Sequence, residues 1–224
     1  MFKTETHSHT NPASSCSHLT PREMVELYHK AGYTTLFISD HLSDYQFNKY
    51  DEQLTFTQRV DFFYQGYLEA KAIGEQYGMH ILFSPELGID KNHFVIYNAD
   101  LAFIKKQEDL FSLSIAEFRR RAREQGITII QAHPYRNGKY TPKPDFVDGI
   151  EVFNGNPRAE NFNEKALELA KQYHLPMTVG SDAHRLEDIA ATAVLTERPI
   201  TSADEYLALL KAGKLQLMAH GKIL

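Results

Sequence analysis

The chain predicts an α/β protein whose parallel strands roll into a closed or nearly closed barrel. Two observations carry that prediction. Apolar, strand-like runs alternate with capped helical segments about seven times along the sequence. Almost every one of those runs also ends in a residue able to bind a metal ion. In such barrels the loops after the strands build the active site, so polar residues at strand C-terminal ends carry chemistry. Residues 1–224 read as a single domain, because no repeat, low-complexity tract or long linker divides them.

The elements follow in order. Met1–Thr6 is a short strand leading into His7-Ser8-His9. Thr20-Pro21-Arg22-Glu23 puts a capping Thr before Pro at the first helical position and Glu at the third, starting a helix that runs to Gly32. Thr34–Ser39 is an apolar strand closing on Asp40-His41, and a longer helix spans Thr57–Tyr77, stopped by Gly78. The strand Met79–Ser84 runs into Pro85-Glu86-Leu87-Gly88, and His93 introduces a short strand, Phe94–Tyr97. Helix Ser114–Gln125 stops at Gly126, after which strand Ile127–Gln131 opens onto Ala132-His133-Pro134. A polar loop, Asn137–Asp145, precedes strand Phe146–Phe153, which carries Glu151 and is followed by Asn154. Helix Asn161–Tyr173 and strand Leu175–Val179 lead to Gly180-Ser181-Asp182-Ala183-His184. A last strand, Ala193–Leu195, and a helix capped at Ser202 and ending at Ala212 complete the pattern.

Composition narrows the function classes. A net charge of −5 gives no support to a broad nucleic-acid-binding surface. The single cysteine, Cys16, excludes an intrachain disulfide and fits a reducing compartment. No apolar signal-peptide core and no run of about 20 apolar residues is present, so a cytoplasmic protein with no membrane partner is expected. The unusual feature is eleven histidines in a chain without tryptophan, which directs attention to metal binding.

His7 and His9, at i and i+2, point to one side of a strand and supply two neutral nitrogen donors on one edge. Asp182 and His184 repeat that spacing. His41, Glu86 and His133 each follow an apolar strand, and a carboxylate such as Glu86 can bridge two cations. Asp40 can orient a ligating imidazole. The residues alone leave His18, in a loop, and His93, which precedes a strand, undecided. His29, His80, His174 and His220 read as ordinary helix, strand-start or tail residues. Cys16 and Arg22 match the bare C-x5-R spacing of cysteine phosphatases. That loop, however, has no glycine to cradle a phosphate, and Pro21 lacks an N–H. Arg119–Arg123 reads as the solvated face of a helix.

Taken together these motifs resemble the PHP family, the polymerase-and-histidinol-phosphatase superfamily of metal-dependent phosphoesterases. The matching pieces are Glu5-Thr-His7-Ser-His9-Thr10, Cys16-Ser-His18, Ser39-Asp40-His41, Glu86 with Gly88, His93, Ala132-His133-Pro134, Glu151-Val-Phe-Asn154 and Gly180-Ser-Asp182-Ala-His184. They span nearly the whole chain in the family's order. Glu5 stands where the family usually has Asp, and the loop from His9 to His18 is longer than usual. The resemblance implies a distorted (β/α)7 TIM-like barrel holding two or three divalent transition metals (Zn, Mn or Fe). By the same analogy His7, His9, Glu86 and Asp182 hold one ion. Glu86, His93 and His133 hold a second, and His18, His41 and His184 a third.

Adjacent divalent cations acidify a bound water toward a pKa of about 7 and clamp phosphate oxygens for in-line attack. The expected substrate is therefore a small phosphomonoester, with nucleic acid only as a nucleotide or short oligonucleotide. Glu86, Asp182 and His184 are the expected catalytic groups. Arg136 and Arg158 are expected to hold the phosphate, with Arg185, Lys139 and Lys143 as further cations. Two rivals remain. An amidohydrolase also starts with H-x-H but usually needs a bridging carboxylated Lys, where this chain has Glu86. A metal-free PHP-like scaffold would not need ligands at nearly every family position.

Overall fold

The computed structural model describes residues 1–224. Its elements are β1 (Phe2–Ser8), α1 (Pro21–Lys30), β2 (Thr35–Ile38), β3 (His41–Ser43), α2 (Asp44–Phe47), α3 (Phe56–Gln76), β4 (His80–Phe83), β5 (Glu86–Ile89) and β6 (Asn92–Tyr97). They continue with α4 (Leu101–Lys105), α5 (Ile115–Glu124), β7 (Thr128–Gln131), β8 (Gly149–Asn154), α6 (Asn163–Gln172), β9 (Met177–Gly180), β10 (Thr192–Thr196), α7 (Ala203–Lys211), β11 (Gln216–Ala219) and β12 (Lys222–Ile223). The strands form two mixed sheets of six, ordered β12-β11-β10-β1-β2-β4 and β3-β5-β6-β7-β8-β9.

The helix starts form as the sequence chemistry dictates. Thr20 and Glu23 make the reciprocal capping box that opens α1, and Thr55–Gln58 and Ser114–Glu117 do the same for α3 and α5. On α1 the buried face is Pro21, Met24, Val25 and Tyr28, a helical spacing that lays one stripe against β1, β2 and α3. β2 is buried along its whole length, so it reads as a continuous apolar run rather than an alternating one.

Backbone contacts at the functional edge help to join the sheets. The β2–β4 pairing passes into β3–β5 through Ser84 N–H donating to Ile38 and Glu86 N–H to Asp40 (both 3.1 Å). On the other side Ser8 bridges Ala183, and the His9 N–H donates to the Ala183 carbonyl at 3.0 Å.

The expected all-parallel order holds for β1-β2-β4, β3-β5 and β7-β8-β9 only. β6 is antiparallel to both neighbours because Asp90 and Lys91 (φ 50° and 56°) make a two-residue hairpin after β5. β10 runs antiparallel to β1, and β11 and β12 add an antiparallel edge. The strand expected from Phe146 starts at Gly149 instead, because Pro144–Phe146 forms a single 3₁₀ turn. The short elements β3, α2, β5 and α4 carry too few residues to show a periodicity, and the sequence reading passed over them.

Packing of β2 against the second sheet rests on aromatic contacts. Phe37 is fully buried, edge-on to Tyr97 (ring centroids 5.3 Å) and tilted against Tyr206 (5.2 Å). Truncating it leaves a cavity between layers, so Phe37→Ala is expected to cost about 3–5 kcal/mol. Urea unfolding monitored by circular dichroism measures this. A loss below about 1 kcal/mol would contradict the packing described.

Candidate metal centre

Eight of the nine expected ligands converge on one edge of the two sheets. His7 and His9 come from the end of β1, His41 opens β3, Glu86 opens β5, and His133 follows β7. Asp182 and His184 follow β9, while His93 sits near the start of β6. His93 departs from the strand-end rule because β6 is antiparallel, which brings its first residues to the edge where the parallel strands end. Gly88 faces it across the ladder.

Local backbone is bent to make this edge. The β1–β2 register shifts between Glu5 and Ser8, and the β8–β9 register between Glu151 and Phe153, each flanking a site residue. His133 (φ 31°) and Asp182 (φ 51°) occupy the left-handed region that non-glycine residues rarely adopt, a strain that clusters at functional sites. Gly180 is required for a different reason. A Cβ there would lie 2.2 Å from Glu151 Oε1 and 2.5 Å from His7 Cβ.

Glu86 lies at the centre and is 1% exposed. Its Oε1 lies 3.0 Å from His133 Nε2, 3.1 Å from His93 Nδ1 and 3.3 Å from His7 Nε2. Its Oε2 lies 2.6 Å from His41 Nδ1 and 3.7 Å from His9 Nε2. Asp182 Oδ1 stands 3.1 Å from His9 Nε2 and 3.7 Å from His7 Nε2. Four overlapping sets have donor atoms mutually within 4.8 Å: His7/His9/Glu86, His7/His133/Asp182, His41/Glu86/His93 and His9/His41/His184.

The donor chemistry fits divalent cations. His7 Nε2, His9 Nε2, Glu86 Oε2 and Asp182 Oδ1 are buried without a hydrogen-bond partner. Each such group costs about 1–3 kcal/mol when left unsatisfied, and these four face one another. Their separations match nitrogen and oxygen donors held about 2.1 Å from a shared ion. The groups can thus coordinate one or more divalent metals, an arrangement matching a metal-activated hydrolase.

Charges around the centre are strongly coupled. Burial favours a neutral Glu86, but His93, His7 and His41 pull its carboxyl well below the ordinary range. Asp182, likewise buried, is held low by Arg136 and His7. Burial pushes His133 down to about 4, with Arg136 adding to the effect. His9 is held neutral by burial and by the neighbouring His41 and His184. Neutral imidazoles and ionised carboxylates are the forms that bind metals; against burial, the neighbouring carboxylates raise His7 well above the ordinary range and Glu86 raises His41 to about 10, protons that a bound cation would displace.

A second layer of side chains sets the geometry. Glu151 Oε1 accepts from His7 Nδ1 at 2.8 Å, fixing the tautomer that leaves Nε2 bare, while Oε2 accepts the His133 N–H at 2.9 Å. Glu5 is fully buried and accepts from the N–H groups of His7 (2.9 Å) and Ser181 (2.9 Å), the Ser181 hydroxyl (2.5 Å) and the Tyr28 hydroxyl (2.9 Å). It ties β1 to the Asp182 loop. Asp40 accepts from the Thr10 N–H (2.6 Å) and hydroxyl (2.7 Å) and the Ser14 hydroxyl (2.8 Å). It therefore acts on the loop after His9, not as a ligand.

Three sequence expectations land elsewhere. The His18 ring is exposed, its backbone N–H pinned to the His184 carbonyl at 2.8 Å, and like the exposed Cys16 it lies outside the four ligand groups. The thiol of Cys16 lies beside His184 and His41 instead. Arg136, expected to meet phosphate, donates to Asp182 Oδ2, to Asn154 Oδ1 (2.8 Å) and to Asn161 Oδ1 (3.0 Å), which orients Asp182. Arg158 forks onto the fully buried Asp188 (2.6 Å to each oxygen), whose Oδ2 also accepts the His184 N–H at 2.8 Å. Both arginines are committed to holding the centre. Lys143 pairs with Asp90 at 3.0 Å, Lys139 is exposed and Arg185 half-buried. Arg22 pairs with Glu26 on α1, far from a phosphate-loop role with Cys16. In the Arg119–Arg123 run, Arg119 pairs with Asp148 and Arg121 with Asp109.

A cavity of about 590 Å³ opens over the centre, lined by Cys16, His41, His93, Tyr140 and Lys91 among others. Tyr140 stands edge-on to His93 and His133 (5.3 Å each), its phenol pushed up to about 12 by burial and Glu86. Two larger clefts, about 770 and 650 Å³, contain none of the grouped histidines.

Comparisons with known proteins agree with this geometry. A family model described as PHP-associated matches residues 160–215. An uncharacterised protein of Methanocaldococcus jannaschii is 32% identical over 117 residues, covering 45% of this chain and 49% of that protein. The match thus spans about half the length of that curated relative. Among solved structures, a two-domain protein of Bacteroides vulgatus containing a predicted PHP-like metal-dependent phosphoesterase superposes with TM-score 0.64 (17% identity, 99% of this chain, 66% of that one). An amidohydrolase of Chromobacterium violaceum with bound sulfate superposes with TM-score 0.60 (17% identity, 97% and 98%). A lesion-specific endonuclease of Pyrococcus furiosus gives TM-score 0.64 (13% identity, 97% and 57%). The chain shares the overall fold of these solved structures.

Glu151 is the residue whose removal tests the second layer. Glu151→Gln keeps the volume but weakens the acceptor for His7 Nδ1, and is expected to lower metal affinity about 10–100-fold. Competition with a chromophoric chelator reads this directly. Unchanged affinity would mean that His7 is not oriented as a ligand.

Proposed function

We propose that residues 1–224 form one barrel-type domain that hydrolyses a small phosphomonoester with the help of two or three divalent transition metals. His7, His9, Glu86 and Asp182 would hold one ion, with Glu86, His93 and His133 at a second and His41 and His184 at a third. The observation that carries this reading is that one buried carboxylate, Glu86, faces five imidazoles beside a cluster of unpartnered donors. Bound there, divalent cations supply Lewis acidity toward a phosphoryl oxygen and a water acidified enough to attack near neutral pH.

The chain's own residues do the rest. Glu151 and Glu5 hold His7, Arg136 keeps one oxygen of Asp182 occupied so that the other faces the centre, and Asp188 fixes the His184 backbone. The cavity has the volume of a small-molecule site. Lys91 is its one Lys or Arg side chain and is the group best placed to meet an incoming phosphate. Zinc, manganese and iron all suit imidazole and carboxylate donors. No helix is long and apolar enough to cross a membrane, in keeping with a cytoplasmic substrate.

The amidohydrolase reading is kept as the alternative because one structural neighbour carries that name. A short oligonucleotide is the alternative phosphoester, given the endonuclease neighbour. Phosphate release from a phosphomonoester panel, run beside a single-stranded oligonucleotide and an amide panel, separates the three. The expected result is turnover of a phosphomonoester that chelation abolishes, that zinc or manganese restores, and that falls to background in Glu86→Gln. Full activity in the chelated protein, or turnover of the amides alone, would overturn the proposal.

A further inference from the structure

The third donor group is incomplete as the sequence expectation drew it. His41 Nε2 and His184 Nε2 face each other at 3.5 Å. His184 Nδ1 is bonded to the Asp182 carbonyl (2.8 Å), which leaves its Nε2 free to face His41, and His41 Nδ1 lies 2.6 Å from Glu86 Oε2. The Nε2–Nε2 spacing is the one that two tetrahedral ligands with bonds of about 2.05 Å impose, roughly 3.4 Å. The fully buried His9 Nε2, which has no hydrogen-bond partner, belongs to the same group.

The loop after β1 decides what completes it. The Ser17 hydroxyl donates to the His9 carbonyl at 2.8 Å, and the His18 N–H donates to the His184 carbonyl at 2.8 Å. These bonds clamp the loop onto the edge. They leave the His18 ring directed to solvent and set Cys16, itself exposed, on the wall of the cavity with His41, its thiol beside His41 and His184.

We propose that Cys16 ligates the ion shared by His41 and His184 through its sulfur, in place of His18. The assignment rests on the metal-hydrolase reading and deepens it. Coordination releases the thiol proton to solvent, and a soft sulfur donor biases this one position toward zinc over manganese. The positions around Glu86, built from nitrogen and oxygen alone, carry no such bias.

The chain has one cysteine, so a sulfur–metal signature is assignable without further mapping. The experiment titrates the metal-free, reduced full-length protein with cobalt(II) and follows the near-ultraviolet thiolate-to-cobalt charge-transfer band alongside the visible d–d bands. The expected result is a charge-transfer band in the wild type that persists in His18→Ala and disappears in Cys16→Ser, with visible bands present in all three. Visible bands without a charge-transfer band in the wild type would overturn the cysteine assignment and leave the hydrolase reading standing. Loss of the charge-transfer band in His18→Ala would return His18 to the site and overturn the replacement. Failure of the wild type to take up cobalt at all would overturn both.

Discussion

One buried carboxylate organises this molecule. Glu86 is 1% exposed and five imidazoles from four different strands and loops crowd its two oxygens. An ionised carboxylate so deeply placed is tolerable only if opposite charge surrounds it. His93, His7 and His41 supply that, and they hold its carboxyl well below the ordinary range despite burial. The constraint reaches back into the fold. β5 must begin at Glu86, β3 must pair with it at His41, and β6 must return antiparallel so that His93 comes back to the same edge.

The loops around Glu86 are then pinned by further buried carboxylates, each bound to backbone N–H groups. Glu5 holds His7 and Ser181, Asp40 holds Thr10, Glu151 holds His133, and Asp188 holds His184 and Arg185. Loops carrying metal ligands would otherwise lose orientational order, because each turn leaves backbone donors unpaired. Fixing the donors beforehand lowers the entropy lost when an ion binds. Arg136 and Arg158 belong to this layer too, which explains why two arginines beside ligands do not face the cavity.

Much of the site was legible because its chemistry is concentrated in residue types. His7, His9, His41, His133, Asp182 and His184 follow apolar runs, and the α/β rhythm marks those ends as one edge. His93 was undecided from the residues alone, since strand direction around β6 depends on a hairpin at Asp90-Lys91 that has no glycine to announce it. His18 was undecided from the residues and entered the ligand set only by resemblance, while Cys16 was read only against a phosphatase loop. Both lie in one irregular loop, whose placement is set by the Ser17 hydroxyl donating to the His9 carbonyl and the His18 N–H donating to the His184 carbonyl. The positioning roles of Glu5 and Glu151 were also hidden. Glu151 stood at a strand end with the ligands, yet nothing in its neighbours says that it faces His7 Nδ1 rather than an ion.

The central claim is that several ions gather around Glu86. Anomalous diffraction from crystals of the zinc- or manganese-loaded protein tests it most directly. The account predicts at least two anomalous peaks, both within coordination distance of the Glu86 carboxylate and flanked by His7, His9 and Asp182 on one side and His93 and His133 on the other. A map with no peak at Glu86, or with one ion bound elsewhere on the surface, would contradict it.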